Sequence, residues 1–584
     1  MVSFCDCMVT EPSYSVTAGA YAALAALVAA CQAELPQAAF RQVRKVTFTS
    51  PSSKHDSSVF PCPLKEHEAV AAVKALEACV ASTIADVRFG QRSRAITIDM
   101  RKVASFLMSS YITTVDGLTK ADPKVTEKLI DTDYNRAQSI LYRRLSANLY
   151  RTKNPEEFYH IHGSLEASRT LNMIGLPAFN PLLTDYHECI DTIERAVRNF
   201  TVAELEDMNK KEKQAGVPAL TLDQFLQTPH GRAMSRLPPF TVQSVETSTP
   251  PFPFDYTSQG STLPLQCLRG IRVLELCRVI AGPTIGRSLA AHGADVLKVT
   301  SPNLPDVPFF QVDVNAGKHT TSLHLHDPHD RAVFDSLLAS ADVVIDGYRP
   351  GSLDRLGYGA SALAALAQRR GRGFVYVAED CFGGTGVGGP GAEWSSRPGW
   401  QQIADCVTGA AWEQGRFMGL DEPVVPPFPM SDYGTGVLGC VAALTGLYRR
   451  ATEGGSWVCR TSLVQYNIFL LSLGLLPRNV QEMLVKRHSS SFFDLRHNDS
   501  VDEVGKRALQ SVKALHPELF SEELMQSAWS EGYAAEVRWP REALEIEGLS
   551  IGYLRPTRPN GFDAATWDGW EEDRNILSGG RKDW

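Results

Sequence analysis

His160 and His162 in FYHIHG, and His324, His326 and His329 in HLHDPHD, stand at spacings that could ligate a metal. Neither group has the nearby Cys or carboxylate set of a closed zinc site, so packed-strand or surface residues are expected and no metal is proposed. The run GVGGPG at Gly386–Gly391 spells GxGxxG. It contains Pro390 and no helix follows at once, so a mobile active-site loop or a plain turn fits better than a dinucleotide cradle. In YRPGSLDR, Tyr348, Arg349 and Arg355 set cations beside an aromatic ring. Such a group suits a purine carrying phosphates, and equally a turn with solvated arginines. No Cys–His or Ser–His pairing for nucleophilic catalysis is evident.

The stretch that must position these residues runs from Leu265 to Pro302. Ile271, Val273, Leu274 and Leu276 form a mostly apolar run expected of a strand covered on both faces. From Pro283 the apolar residues fall at helical spacing, and Val296, Leu297 and Val299 resume strand character after Gly293. This βαβ unit carries neither GxGxxG nor GxxxxGK[ST] in its turn, RVIAGPT. Downstream, DRAVFDSLLASADVVIDGY and ALAALAQRRGRGFVYVAED each read as helix into strand. The alternation predicts an α/β fold: a Rossmann-like, doubly wound parallel sheet with a smaller α+β domain.

A helical lead-in and Ser-rich linker are expected over 1–60, a degenerate copy with the small domain over 61–235, and a Pro-rich linker over 236–263. A Rossmann-like domain is expected over 264–475, then an extension over 476–584 that returns to it. FPCPLKEHEAVAAVKALEACV near residue 60 repeats the element order of FPMSDYGTGVLGCVAALTGLYRR near 428, which suggests interlaced, permuted or fused copies.

At 584 residues and 43% hydrophobic content the chain can build two to four domains with real cores. A net charge of −8 without a clustered basic face argues against nucleic acid. The apolar piece from Thr17 to Cys31 is too short to span a bilayer, so no membrane partner is expected. Twelve scattered cysteines fit reduced thiols in a cytoplasmic protein.

Three ordered motifs carry a resemblance. LxGxRVLxLxRVxAGPxxGxxLAxxGADVxKV stands at Leu268–Val299, NxGKxxxxLxLxDP at Asn315–Pro328, and ADVVIxxYRPGxLDRLGYG at Ala341–Gly359. The chain thereby resembles the family III coenzyme A transferases (the CaiB/BaiF family), the group of formyl-CoA transferase, carnitine CoA-transferase and α-methylacyl-CoA racemase. The resemblance implies coenzyme A bound in a crevice at the strand ends, touched by Val279, Ala281, Asn315, Lys318, Tyr348, Arg349 and Arg355. It implies an acyl-CoA and a small carboxylic acid as partners, and a homodimer of interlaced chains. In that family small-domain sequence follows the Rossmann-like half, whereas here it precedes it.

Transferases of this group use a carboxylate that passes through an acyl anhydride and an enzyme-bound CoA thioester. The nucleophile's position falls near Met418, flanked by Glu413 and Asp421. The racemases use a His-Asp pair, where Trp400 and Gln401 stand here, and a second Asp retained as Asp432. An Asp just before a helix is also an ordinary N-cap. The resemblance therefore leads to CoA transfer between an acyl-CoA and a carboxylic acid through Asp421, Asp432 or Glu413. Racemisation of an acyl-CoA and a non-catalytic CoA-binding relative are the alternatives.

Overall fold

The computed structural model describes residues 14–50, 56–254, 265–384 and 393–570. Seven strands form its principal sheet: β1 (Phe240–Glu246), β2 (Arg272–Cys277), β3 (Asp295–Thr300), β4 (His319–Ser322), β5 (Val343–Gly347), β6 (Val375–Asp380) and β7 (Ser456–Ser462). Their spatial order is β4-β3-β2-β5-β6-β7-β1. Every neighbouring pair is parallel except β7 with β1. Val273 of β2 sits between Val296 of β3 and Val343 of β5, and all three are fully buried. Helices cover both faces of the central strands, which is why β2, β3 and β5 are almost wholly buried rather than alternating. From β2 the chain moves outward through β3 to β4, then returns to β5 and moves the other way. The connections part at the carboxyl ends of β2 and β5, where such sheets open a crevice.

β1 corrects the reading of 236–263 as linker. Phe240, Val242 and Glu246 are buried, and Phe240 pairs with Thr461 at the antiparallel edge of the sheet. The prolines that suggested a linker flank this strand. Part of that segment, and the whole Gly386–Gly391 run, lie outside the described residues.

Three helices matter for the crevice: α1 (Ala281–Ala291), α2 (Gln401–Thr408) and α3 (Met430–Thr452). α1 and α3 approach closely because Gly436 lacks a side chain. A Cβ there would lie 2.4 Å from Thr284 Cβ and 2.6 Å from the Ala281 carbonyl oxygen. The start of α3 is thereby held against the first βα turn.

The N-terminal half supplies a helix, Glu66–Phe89, that lies along α3, and a second sheet of Val46–Thr49, Ile96–Asp99 and Leu544–Ile546. Phe60 and Phe428, which open the two similar segments, meet edge to face with centroids 6.0 Å apart. A buried ionic network joins the halves. Arg287 pairs with Asp313 at 2.6 Å, Asp313 also accepts from Tyr433 at 2.7 Å, and Lys74 pairs with Glu542 at 3.1 Å.

An antiparallel sheet of Ala147–Arg151, Phe158–His162 and Val217–Pro218, with its helices, covers the crevice. After Leu475 the chain does not return directly to the principal sheet. It first adds a hairpin, Met525–Ser530 and Ala535–Pro540, beside Thr114–Val115. It then joins the N-terminal sheet through Leu544–Ile546 and finally reaches β4, where Trp570 lies over His319 with centroids 4.0 Å apart. Among the described residues no helix is long and apolar enough to cross a membrane.

Candidate active site

The crevice encloses a cavity of about 830 Å³. Its floor is the loops after β2, β3, β5 and β6, and its roof is the segment after Phe158–His162. Arginines and carboxylates both line it.

Among the arginines are Arg278 after β2, Arg349 after β5, and Arg169 from the covering segment. Burial, then the neighbouring charges of Arg278 and Arg169, lower the pKa of Arg349. Arginine forks grouped in this way suit phosphate oxygens. Tyr348 lies under Arg278, whose guanidinium is 5.3 Å from the ring centroid.

The carboxylates include Glu379, Asp380 and Asp432. Glu379 is the last residue but one of β6, and burial followed by the charges of Asp380, Asp432 and Asp346 pushes its carboxyl well above the usual range. Asp432 lies in the first turn of α3. Burial and then the Asp405 carboxylate push it well above the usual range too. Asp432 is not the N-cap. Pro429 holds that position without a side-chain capping bond, and Asp432 receives no side-chain hydrogen bond among the described residues. Behind it Asp405, which burial raises to about 6, accepts from Asn467 at 2.9 Å and from Gln401 at 3.0 Å.

Asp432 also lines a second, smaller cavity of about 60 Å³. It is the acid at the junction of the two. Glu379 borders only the larger one.

Of the residues expected to hold coenzyme A, Val279, Ala281, Tyr348 and Arg349 line the large cavity. Asn315 and Lys318 do not. Lys318 is fully buried and paired with Glu275 at 2.7 Å, and it also donates to the Pro283 carbonyl at 2.7 Å. Its role is to tie β2 and α1 to the loop before β4. Asn315 accepts from Lys298 at 3.0 Å and donates to Arg558 and Asn560. Arg355 is exposed and donates to Ser352, with Ser352 rather than Arg355 lining the cavity.

Asp421 is exposed on the turn leading from the Glu413 helix and borders neither cavity. Glu413 is spent on Arg416 at 2.7 Å. Met418 is buried in the core. Neither carboxylate flanking Met418 therefore reaches the crevice.

Trp400 donates to Ser164 Oγ at 2.8 Å and stacks on His162, centroids 5.6 Å apart. Burial holds His162 well below the usual imidazole range, so it is neutral. His160 stacks on His162 at 5.5 Å inside the covering sheet. His324 and His326 lie at the cavity edge, and His329 is at the exposed start of helix Pro328–Ser340, capped by Asp327.

Glu379, Arg278, Arg169 and Asp405 were missed from sequence. Glu379 and Arg278 had a usable signal: each ends or follows a predicted parallel strand, where ligands gather. Arg169 and Asp405 had none, being placed by the covering segment and by a helix interior.

A family model described as CoA-transferase family III matches residues 268–489. The acetyl-coenzyme A transferase nodX of Hypoxylon pulicicidum is 32% identical over 86% of this chain and 85% of its own length. An acyl-CoA transferase of Gibberella moniliformis is 31% identical over 71% of this chain and 72% of its own. The succinyl-CoA–L-malate CoA-transferase beta subunit of Chloroflexus aurantiacus is 31% identical over 40% and 57%.

Proposed function

We propose that this transferase, a chain that belongs to CoA-transferase family III, moves coenzyme A from an acyl-CoA to a carboxylic acid through the side chain of Asp432. The observation that carries this is the place of Asp432 at the junction of the two cavities, uncapped and without a side-chain hydrogen bond among the described residues. A thioester whose CoA body fills the large cavity and whose acyl group fills the small one would set its carbonyl there.

In this reading the Rossmann-like half binds the CoA body, with Arg278, Arg349 and Arg169 meeting phosphates and Tyr348 packing against the same group. The ionised Asp432 attacks the thioester carbonyl carbon. The C–S bond breaks, CoA leaves as thiolate, and a mixed anhydride joins the acyl group to Asp432. The thiolate then attacks Asp432 Cγ, the donor acid departs as its carboxylate, and Asp432 holds CoA as a thioester. An acceptor carboxylate attacks Cγ, releasing the thiolate again. Attack of the thiolate on the acceptor's carbonyl carbon yields the new acyl-CoA and restores the Asp432 carboxylate. No net proton or electron is consumed. Burial and Asp405 make the ionised Asp432 poorly stabilised and hence reactive, while the positive end of α3 offsets part of that cost.

The test is transfer from a panel of short acyl-CoAs to free acids, followed by chromatography of the thioesters in deuterated solvent. The reading requires CoA to change acid, the α-proton of the acyl group to be retained, and Asp432→Asn to abolish transfer. Full transfer by Asp432→Asn overturns it. Because neutral His162 shares the cavity, α-proton exchange with CoA left in place would assign epimerisation instead.

A further inference from the structure

We infer that Glu379 is a second catalytic residue of the transfer, its carboxyl O–H donating a hydrogen bond to the thioester carbonyl oxygen as Asp432 attacks. The inference rests on the transferase reading above.

Glu379 is only 7% exposed, yet it lines the large cavity. Two glycines make its place. A Cβ at Gly282, in the first turn of α1, or at Gly347, which ends β5, would lie 3.3 Å from Glu379 Oε2. Asp432 stands over the same turn of α1. It lies one helical turn before Gly436 on the same face of α3, and Gly436 is the residue that packs against Ala281 and Thr284. Both acids therefore flank the point where α1 begins, and both line the large cavity.

Among the described residues neither oxygen of Glu379 takes part in a hydrogen bond, and the charged groups acting on it are all acids: Asp380 beside it on β6, Asp346 on β5 and Asp432 on α3. A buried carboxyl among carboxylates keeps its proton, and the ionised Asp432 that attack requires is one of the charges that hold it there. A neutral carboxyl has what a carboxylate lacks, an O–H to donate.

Other side-chain donors where the two cavities meet are already committed. Gln401 gives its amide to Asp405 at 3.0 Å and to the Phe428 carbonyl at 3.2 Å, Gln402 is engaged with His162, and Arg144 is paired with Asp502 at 3.1 Å. Glu379 is not. Attack by Asp432 moves the C=O π pair onto the carbonyl oxygen, where the Glu379 O–H meets it, and the pair returns as the C–S bond breaks. The proton stays on Glu379, so the balance of the reaction is unchanged. The same donor serves the last step, when the thiolate attacks the acceptor's carbonyl carbon.

The experiment uses the full-length protein with the acyl-CoA and free acid that the wild type turns over fastest. Glu379→Met keeps the length of the side chain and removes the donor; Glu379→Gln keeps a neutral donor. Glu379→Met should lower kcat by about a hundredfold or more, the scale of one lost oxyanion donor, while CoA affinity by calorimetry stays unchanged. Glu379→Gln should recover most of the rate. That rescue separates hydrogen bonding from packing, and also from proton transfer or nucleophilic attack by Glu379, which an amide does not perform. Undiminished kcat in Glu379→Met, or a Glu379→Gln as slow as Glu379→Met, overturns this inference and leaves the transferase reading standing. A second measurement needs no variant: for a ketone analogue of the acyl-CoA, with a methylene in place of the thioester sulfur, the carbonyl stretch in the infrared should fall on binding below its value in a hydrocarbon solvent. An unlowered stretch also overturns the inference. Full transfer by Asp432→Asn overturns both readings.

Discussion

Gln401 donates its side-chain amide to Oδ2 of Asp405 at 3.0 Å, and through that bond a wall of the crevice is anchored to a buried carboxylate. The same Asp405 accepts from Asn467 and raises the pKa of Asp432. Removing its charge should therefore ease ionisation of Asp432. Because the reactive form of Asp432 is the anion, transfer should rise with pH through its pKa, and Asp405→Asn should move that acid limb to lower pH. Rates measured across pH for both proteins check this. An unshifted limb would separate Asp405 from the reacting acid.

Arg278 and Arg349 should each contribute to binding the CoA body. Replacing either with Ala should weaken CoA binding by about 1 to 3 kcal/mol, with the loss growing at low salt. Arg355→Ala should change it little, since that side chain lies outside the cavity lining. Calorimetric titration with CoA compares the three.

Asp313 and Arg287 form a pair that is at most 1% exposed on either side. Asp313→Ala would leave Arg287 charged and uncompensated in the core, at a cost of about 3 to 5 kcal/mol. Urea unfolding should detect it. Asp432→Asn, on a half-buried side chain facing the cavity, should cost far less.

Glu194 accepts from His497 at 2.8 Å, and although burial opposes it, that bond and charge bring its pKa down to about 2. A depressed folded-state pKa means that stability is present above the unfolded carboxyl value of about 4.3 and is lost as pH falls towards 2. Thermal unfolding between pH 5 and 2 should therefore be steeper for the wild type than for Glu194→Gln.

Much of the sheet was legible because its strands are continuous apolar runs broken by Gly and Pro, and because motif residues such as Val279, Ala281 and Tyr348 sit at strand ends. Asn315 and Lys318 belong to an equally distinct motif, yet the fold spends them internally. Lys318 neutralises Glu275 beneath the sheet, and nothing in NAGK distinguishes a lysine that meets a ligand from one that meets a buried carboxylate. Asp421 was suggested by position along the chain, but exposure on a turn keeps it from the crevice. Arg169 and Asp405 were out of reach for a different reason: packing between remote segments brings them to the crevice, and neither stands in a local pattern that implies it.

In the proposed mechanism one side chain, Asp432, carries first the acyl group and then CoA. The direct measurement is to mix the protein with an acyl-CoA, trap with hydroxylamine, and locate the modified residue by peptide mass spectrometry. The predicted result is a hydroxamate on Asp432, absent in Asp432→Asn. A hydroxamate on Glu379 or Asp421, or transfer that proceeds with Asp432 never modified, would contradict it.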